Sequence, residues 1–127
     1  MDEFIQESLE NYQLVEIMQN SCFSRVYLAK CLQSSRHVIL KVFDKPDTLC
    51  GIKEINATKQ LKHDNVVQYV DSGQLSEFID DFGDVVLLNY LVVQHYPNGN
   101  LYDYIAATGR FSEELARYYI KQLASAL

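Results

Sequence analysis

Basic residues are scarce in this chain. Eleven Lys and Arg stand against 17 Asp and Glu in 127 positions, for a net charge of -6 and an isoelectric point near 4.9. No basic run or basic amphipathic helix offsets that balance, which argues against nucleic-acid or anionic-membrane partners. Any phosphate-bearing ligand must be held by a local site. Long apolar runs are missing too: no stretch reaches the roughly 18 residues of a membrane-spanning helix. The start, Met1-Asp2-Glu3-Phe4-Ile5, lacks the basic and apolar regions of a secretion signal. A soluble, cytoplasmic protein is the expectation. The three cysteines, Cys22, Cys31 and Cys50, are odd in number and form no C-x-x-C pair, which speaks against a disulfide frame or a zinc site. They read as reduced thiols without a role. Internal repeats and low-complexity segments are absent.

Apolar material is plentiful, at 48% of residues with nine tyrosines, enough for the core of one ordinary domain or part of one. Residues 1–11 are acidic and polar and read as a lead-in helix or loose tail. From Tyr12 three β-type runs follow, over 12–18, 25–31 and 36–43, separated by polar turns; an antiparallel meander is predicted. Pro46-Asp47 breaks the pattern. From about Leu49 the apolar residues Ile52, Ile55 and Leu61 recur at helical spacing up to His63, and Glu54, Thr58 and Leu61 share one stripe. Residues 66–70 and 85–95 read as two more strands, the second apolar enough to be buried on both faces, joined by a polar connection over 71–84.

After Pro97-Asn98-Gly99 a short helix begins near Leu101, breaks at Thr108-Gly109, and is followed by a helix capped by Ser112, with Glu113 and Glu114 at its positive end. Leu115, Tyr119, Leu123 and Leu127 form its apolar stripe. No Gly, Asn or Pro ends it, so the chain is expected to stop inside an unfinished helix. At roughly 1.5–3 kcal/mol per side chain, that stripe forgoes a burial comparable to a whole domain's stability.

The chemistry begins at Lys41, which closes the apolar run Val38-Ile39-Leu40-Lys41-Val42-Phe43. A charge in such a strand is costly unless it is paired or holds an anionic ligand, and Glu54 follows thirteen residues later on the predicted helix. The plainer alternative is an exposed strand-end lysine and a surface glutamate.

Taken together, residues 12–127 resemble the amino-terminal part of a eukaryotic protein kinase domain. Val38-Ile39-Leu40-Lys41 is similar to the family's V-A-I-K strand, and Glu54 with Leu61-Lys62-His63-Asp64-Asn65-Val66-Val67 resembles its αC helix and the entry to the next strand. Residues 91–101, Leu-Val-Val-Gln-His-Tyr-Pro-Asn-Gly-Asn-Leu, resemble the fifth strand and hinge. The segment 108–119 is similar to the αD-to-αE region, most like serine/threonine kinases of the calmodulin-dependent and AMP-activated type. Each piece alone is a weak signal; five in the family's order are specific.

The resemblance implies an α+β fold: a five-stranded antiparallel sheet with one αC helix over 12–96, then the first helices (αD, αE) of the helical lobe over 97–127. It also implies that Lys41 pairs with Glu54 and presents its ammonium to the phosphates of ATP. Val93 would be the gatekeeper, and the backbone of Gln94 and Tyr96 would face the base. Met18, Ser21, Phe23, Ser24, Val26, Ile39, Val67, Asn100 and Leu101 complete the implied ATP-facing set, and a protein substrate or regulatory protein is the implied partner.

Several departures bear on activity. The family's phosphate-covering loop is G-x-G-x-x-G-x-V, where glycines let backbone N–H groups approach phosphate. Here the stretch from Gln19 to Val26 puts Gln19, Ser21 and Ser24 at the glycine positions, while Phe23 and Val26 fit. The alanine that lies against adenine is Ile39, whose extra bulk opposes base binding by roughly 1–3 kcal/mol. Thr58 stands where the family has an apolar residue, and its hydroxyl weakens that packing unless it bonds to the carbonyl four residues back. Asp81-Phe82-Gly83 spells the magnesium-binding tripeptide but precedes the hinge instead of following the catalytic loop, so Glu77, Asp80, Asp81 and Asp84 are assigned to a solvated loop. No H-R-D-x-x-x-x-N loop follows, nor A-P-E; the catalytic base and magnesium ligands are absent from these residues. Three readings remain: a truncated serine/threonine kinase domain, a pseudokinase-like interaction module with weak or no nucleotide binding, and an unrelated α+β interaction domain.

Overall fold

The computed structural model describes residues 11–20, 24–43, 49–79 and 82–127. The expected lead-in over 1–10, the break at Pro46-Asp47, and Ser21, Cys22, Phe23, Asp80 and Asp81 lie outside the described residues. Among the described residues five strands form one antiparallel sheet: β1 (Tyr12–Asn20), β2 (Ser24–Cys31), β3 (His37–Phe43), β4 (Tyr69–Ile79) and β5 (Val85–Gln94), in the order β1-β2-β3-β5-β4. Helix α1 (Leu49–Gln60) follows β3, while α2 (Leu101–Thr108) and α3 (Glu113–Ala126) follow the sheet. This is the predicted α+β arrangement of a kinase amino-terminal lobe.

Two-residue alternation sorts the strands into two cores on opposite faces. Val38, Leu40 and Val42 of β3 join Tyr12, Tyr27, Ala29, Phe78 and Val92 in the larger core. The intervening register position Phe43 turns to the other face, where it packs with Ile55 of α1 and Leu91 of β5. Both α1 and the candidate site therefore belong to the second face.

Strand β4 is longer than the sequence suggested. Its predicted 66–70 begins in a turn, closed by Val66 N–H donating to the His63 carbonyl at 3.1 Å, and most of the supposed polar connection pairs with β5 from Tyr69↔Val93 to Ile79↔Val85. Glu77 is thus an exposed strand residue and not a loop residue. An edge strand tolerates polar side chains because one backbone edge and one face meet water; Phe78, fully buried, supplies its anchor. Gly73 sits at an irregularity in the register, where a Cβ would strike the Tyr90 ring and Ser76 Oγ.

Other boundaries moved less. Helix α1 stops at Gln60 instead of His63, leaving Leu61 exposed. Only the middle of β5 is buried on both faces; Val85 and Leu87 are exposed near the hairpin end. Helix α2 begins with a reciprocal cap, Asn100 accepting from Asp103 N–H and Asp103 accepting from Asn100 N–H, and stops at Gly109 with φ +79°. Helix α3 starts on Ser112, which accepts from Leu115 N–H at 3.2 Å. Its predicted stripe is open: Leu115, Leu123 and Leu127 are exposed, and Tyr119 is half-buried against Phe111, with ring centroids 5.7 Å apart.

Candidate functional site

Strand pairing builds the site's wall. Val26 pairs with Lys41 and Lys41 with Leu91, while Ile39 pairs with both Leu28 and Val93. Directly opposite residues share a face, so Val26, Ile39, Lys41 and Val93 form one cluster on the α1 side of the sheet. Helix α1 then brings up the carboxylate: Lys41 Nζ lies 3.0 Å from Glu54 Oε1. The lysine side chain is 30% exposed and the glutamate 42%, so the plainer alternative of two separate surface charges is excluded, and so is a dry ion pair. Solvent screening makes such a pair a modest source of stability. Its value is geometric, because an ammonium carries three N–H donors and the contact with Glu54 orients it. The Phe43 ring lies 5.4 Å below Nζ and favours the cation from its π face.

Thr58 meets the condition set for it: its Oγ1 donates to the Glu54 carbonyl at 2.8 Å. That bond removes the hydroxyl's need for another partner and buttresses the turn that presents Glu54.

The hinge is tied down by one residue. Gln94 N–H donates to the Gln68 carbonyl at 2.9 Å, and Gln68 N–H donates to the Tyr96 hydroxyl at 3.2 Å. Both ends of the segment 94–96 are thereby fixed on the approach to β4. Val67, Tyr96 and Leu101 gather at a cavity of about 470 Å³ whose far wall is α3, through Tyr119, Ile120 and Leu123. This cavity does not include Lys41 or Glu54; it lies beside the hinge and away from the charged pair.

The remaining predicted site residues divide. Met18, in the bulged part of β1 between Ile17 and Gln19, is exposed; Ser24 is buried at the start of β2, opposite Phe43. Ser21 and Phe23 are outside the described residues. Asn100 is engaged as the cap of α2, a structural duty that the sequence reading did not give it.

Sequence reasoning also missed three contacts with long loops between their partners: Gln68 with the hinge, Asn65 with α3, and Tyr12 with Asp71. Asn65 Nδ2 donates to the Gln122 carbonyl at 2.9 Å, and Tyr12 OH donates to Asp71 Oδ2 at 2.9 Å. Burial chiefly, then the Asp71 carboxylate, holds the Tyr12 hydroxyl well above the usual phenol range. Burial and Asp71 push Tyr90 the same way. Cys31 has its thiol lowered by hydrogen bonds from Ser34. Among the described residues no group of three or more His, Cys, Asp or Glu could hold a metal ion, and no helix is long and apolar enough to cross a membrane.

Comparison with known proteins meets this geometry. Residues 12–127 match the protein kinase domain family. The chain is 33% identical over 124 residues to calcium/calmodulin-dependent protein kinase type II of Schizosaccharomyces pombe, covering 94% of this chain and 23% of that protein. It is 32% identical over 126 residues to maternal embryonic leucine zipper kinase of Xenopus laevis, covering 96% and 18%. It is 31% identical over 125 residues to CBL-interacting serine/threonine-protein kinase 19 of Arabidopsis thaliana, covering 94% and 24%. The chain thus spans a quarter or less of the length of these relatives.

Proposed function

The chain belongs to the protein kinase domain family, and from that premise we propose that it is the nucleotide-binding part of a serine/threonine kinase domain. The observation that carries this reading is Lys41 Nζ at 3.0 Å from Glu54 Oε1, on the same sheet face as Val26, Ile39 and Val93. Lys41 holds the α- and β-phosphates of ATP while Glu54 fixes its direction. The backbone of Gln94 and Tyr96, held on Gln68, offers donors and acceptors to the base, and Val93 closes the back of its pocket. Magnesium accompanies ATP in the family, but among the described residues no group of three or more His, Cys, Asp or Glu could hold it, and the residues 1–127 contain neither an H-R-D loop nor a D-F-G after the hinge. Phosphoryl transfer to a protein serine or threonine would need a base and metal ligands that are not among these residues.

A second reading, a kinase-like interaction module with little nucleotide binding, draws on Ile39 in the pocket wall and on Gln19 and Ser24 at glycine positions. One experiment separates the two. Thermal unfolding is followed with and without magnesium-ATP for the native chain and for Lys41→Met. At a hundred times the dissociation constant the ligand stabilises a competent site by about 2.7 kcal/mol. The first reading expects an upward shift in the native chain that Lys41→Met abolishes; no shift in either chain selects the second.

A further inference from the structure

The cavity beside the hinge has two walls, and the polar contacts that cross between them come from Asn65 and His63. One wall is the turn after α1, with Asp64, Asn65, Val66 and Val67; the other is α3. Asn65 N–H donates to His63 Nδ1 at 3.0 Å, Asn65 Nδ2 donates to the Gln122 carbonyl at 2.9 Å, and Ser125 Oγ lies 3.4 Å from His63 Nε2. An N–H aimed at Nδ1 requires a lone pair there. That contact suits a neutral ring whose Nε2–H faces the Ser125 hydroxyl.

We infer that His63 is a pH-sensitive latch. While neutral it holds Asn65 in the position from which its amide grips α3, and protonation at Nδ1 opens that grip and the cavity behind it. A proton on Nδ1 replaces the acceptor by a second donor facing the Asn65 N–H, so the bond is lost and the two groups repel. Asn65 then leaves the geometry in which its side chain reaches Gln122. The charged groups adjoining the ring in the turn are Lys62 and Asp64, of which Asp64 also lines the cavity. From α3 the ring meets the uncharged Ser125, with Lys121 one turn earlier, and the Gln122 carbonyl beyond Asn65. Release would widen the cavity at Tyr96 and Leu101, coupling acidification to the hinge. This inference does not depend on nucleotide binding.

The test is amide hydrogen exchange followed by nuclear magnetic resonance on the chain without ligand, corrected for the intrinsic effect of pH. Going from about pH 7.5 to about pH 5.5, the protection of the Asn65 backbone amide is expected to fall roughly two- to tenfold, the range for losing one net hydrogen bond. His63→Gln keeps an acceptor and a donor but no titrating group, and its protection is expected to stay flat. Unchanged protection in the native chain, or the same fall in His63→Gln, overturns the latch. Nitrogen chemical shifts of the native ring give an independent reading that needs no variant: a proton on Nε2 near pH 7.5 supports it, and a proton on Nδ1 overturns it.

Discussion

At the residue scale the proposed nucleotide site sets one group suited to phosphate, Lys41, against one whose bulk would crowd a base, Ile39. Lys41 is aimed by Glu54, and Ile39 stands two residues away on the same face, opposite Val93 and half-buried. If Ile39 narrows the adenine pocket, shortening it relieves the crowding. Ile39→Ala is expected to tighten ATP binding by roughly five- to a hundredfold, the reverse of an overpacking cost of about 1–3 kcal/mol. Stability should fall by less than the ~2–5 kcal/mol of a fully buried truncation. Titration calorimetry with ATP and chemical denaturation followed by circular dichroism measure the two effects; unchanged or weaker binding would acquit Ile39. The pairing of Lys41 with Glu54 was legible through the ordered motifs that resemble a kinase domain; strand and helix period alone left open two separate surface charges. The cap role of Asn100 was not legible, because the turn at Pro97-Asn98-Gly99 and the following helix read equally well with Asn100 facing a ligand.

At the scale of elements, the sheet's least readable strand teaches most. Strands β1 to β3 and the three helices announced themselves by alternation, by helical spacing and by Ser112 at an N-cap. Strand β4 did not, since Asp71, Ser72, Gln74, Ser76 and Glu77 make it polar, and composition alone cannot distinguish a polar edge strand from a loop. What makes it a strand is pairing along β5 and the single buried anchor Phe78. Its irregularity at Gly73 brings the backbone so close to Tyr90 that any side chain collides with the ring. Gly73→Ala is accordingly expected to destabilise the domain by about 1–3 kcal/mol, the cost of overpacking. The urea midpoint should fall without a change in slope; an unchanged midpoint would mean that the ring of Tyr90 moves aside freely. The tie of Gln68 to the hinge belongs to the same class of hidden features, because Gln68 takes part through its backbone alone and its residue type carries no mark of it.

At the scale of the molecule, the two edges of the sheet meet. Strand β1 and strand β4 stand at opposite ends of the strand order, and four flat strand spacings would hold them roughly 19 Å apart. Tyr12 OH nevertheless donates to Asp71 Oδ2 at 2.9 Å, so the sheet is coiled over its larger core, and the phenol closes that core from one edge to the other. The bond has a signature in alkali. Burial and the Asp71 carboxylate raise the Tyr12 hydroxyl, and burial raises Tyr90 beside it. A phenol raised on folding keeps its proton longer in the native state, so its contribution is complete below about pH 10, its unfolded value. That contribution is then lost as pH climbs towards the folded value, where the native state holds protons that the unfolded chain has released. Stability should therefore decline above about pH 10, by up to ~1.4 kcal/mol per pH unit for each such proton. Tyr12→Phe removes one of them: it is expected to cost about 1–3 kcal/mol near neutrality, where Asp71 loses a donor, and to make the alkaline decline shallower. Denaturation curves across about pH 8 to about pH 11 for both chains decide it. An equally steep decline in Tyr12→Phe would place the alkaline lability elsewhere and leave the edge-to-edge bond without a measurable share in holding the sheet coiled.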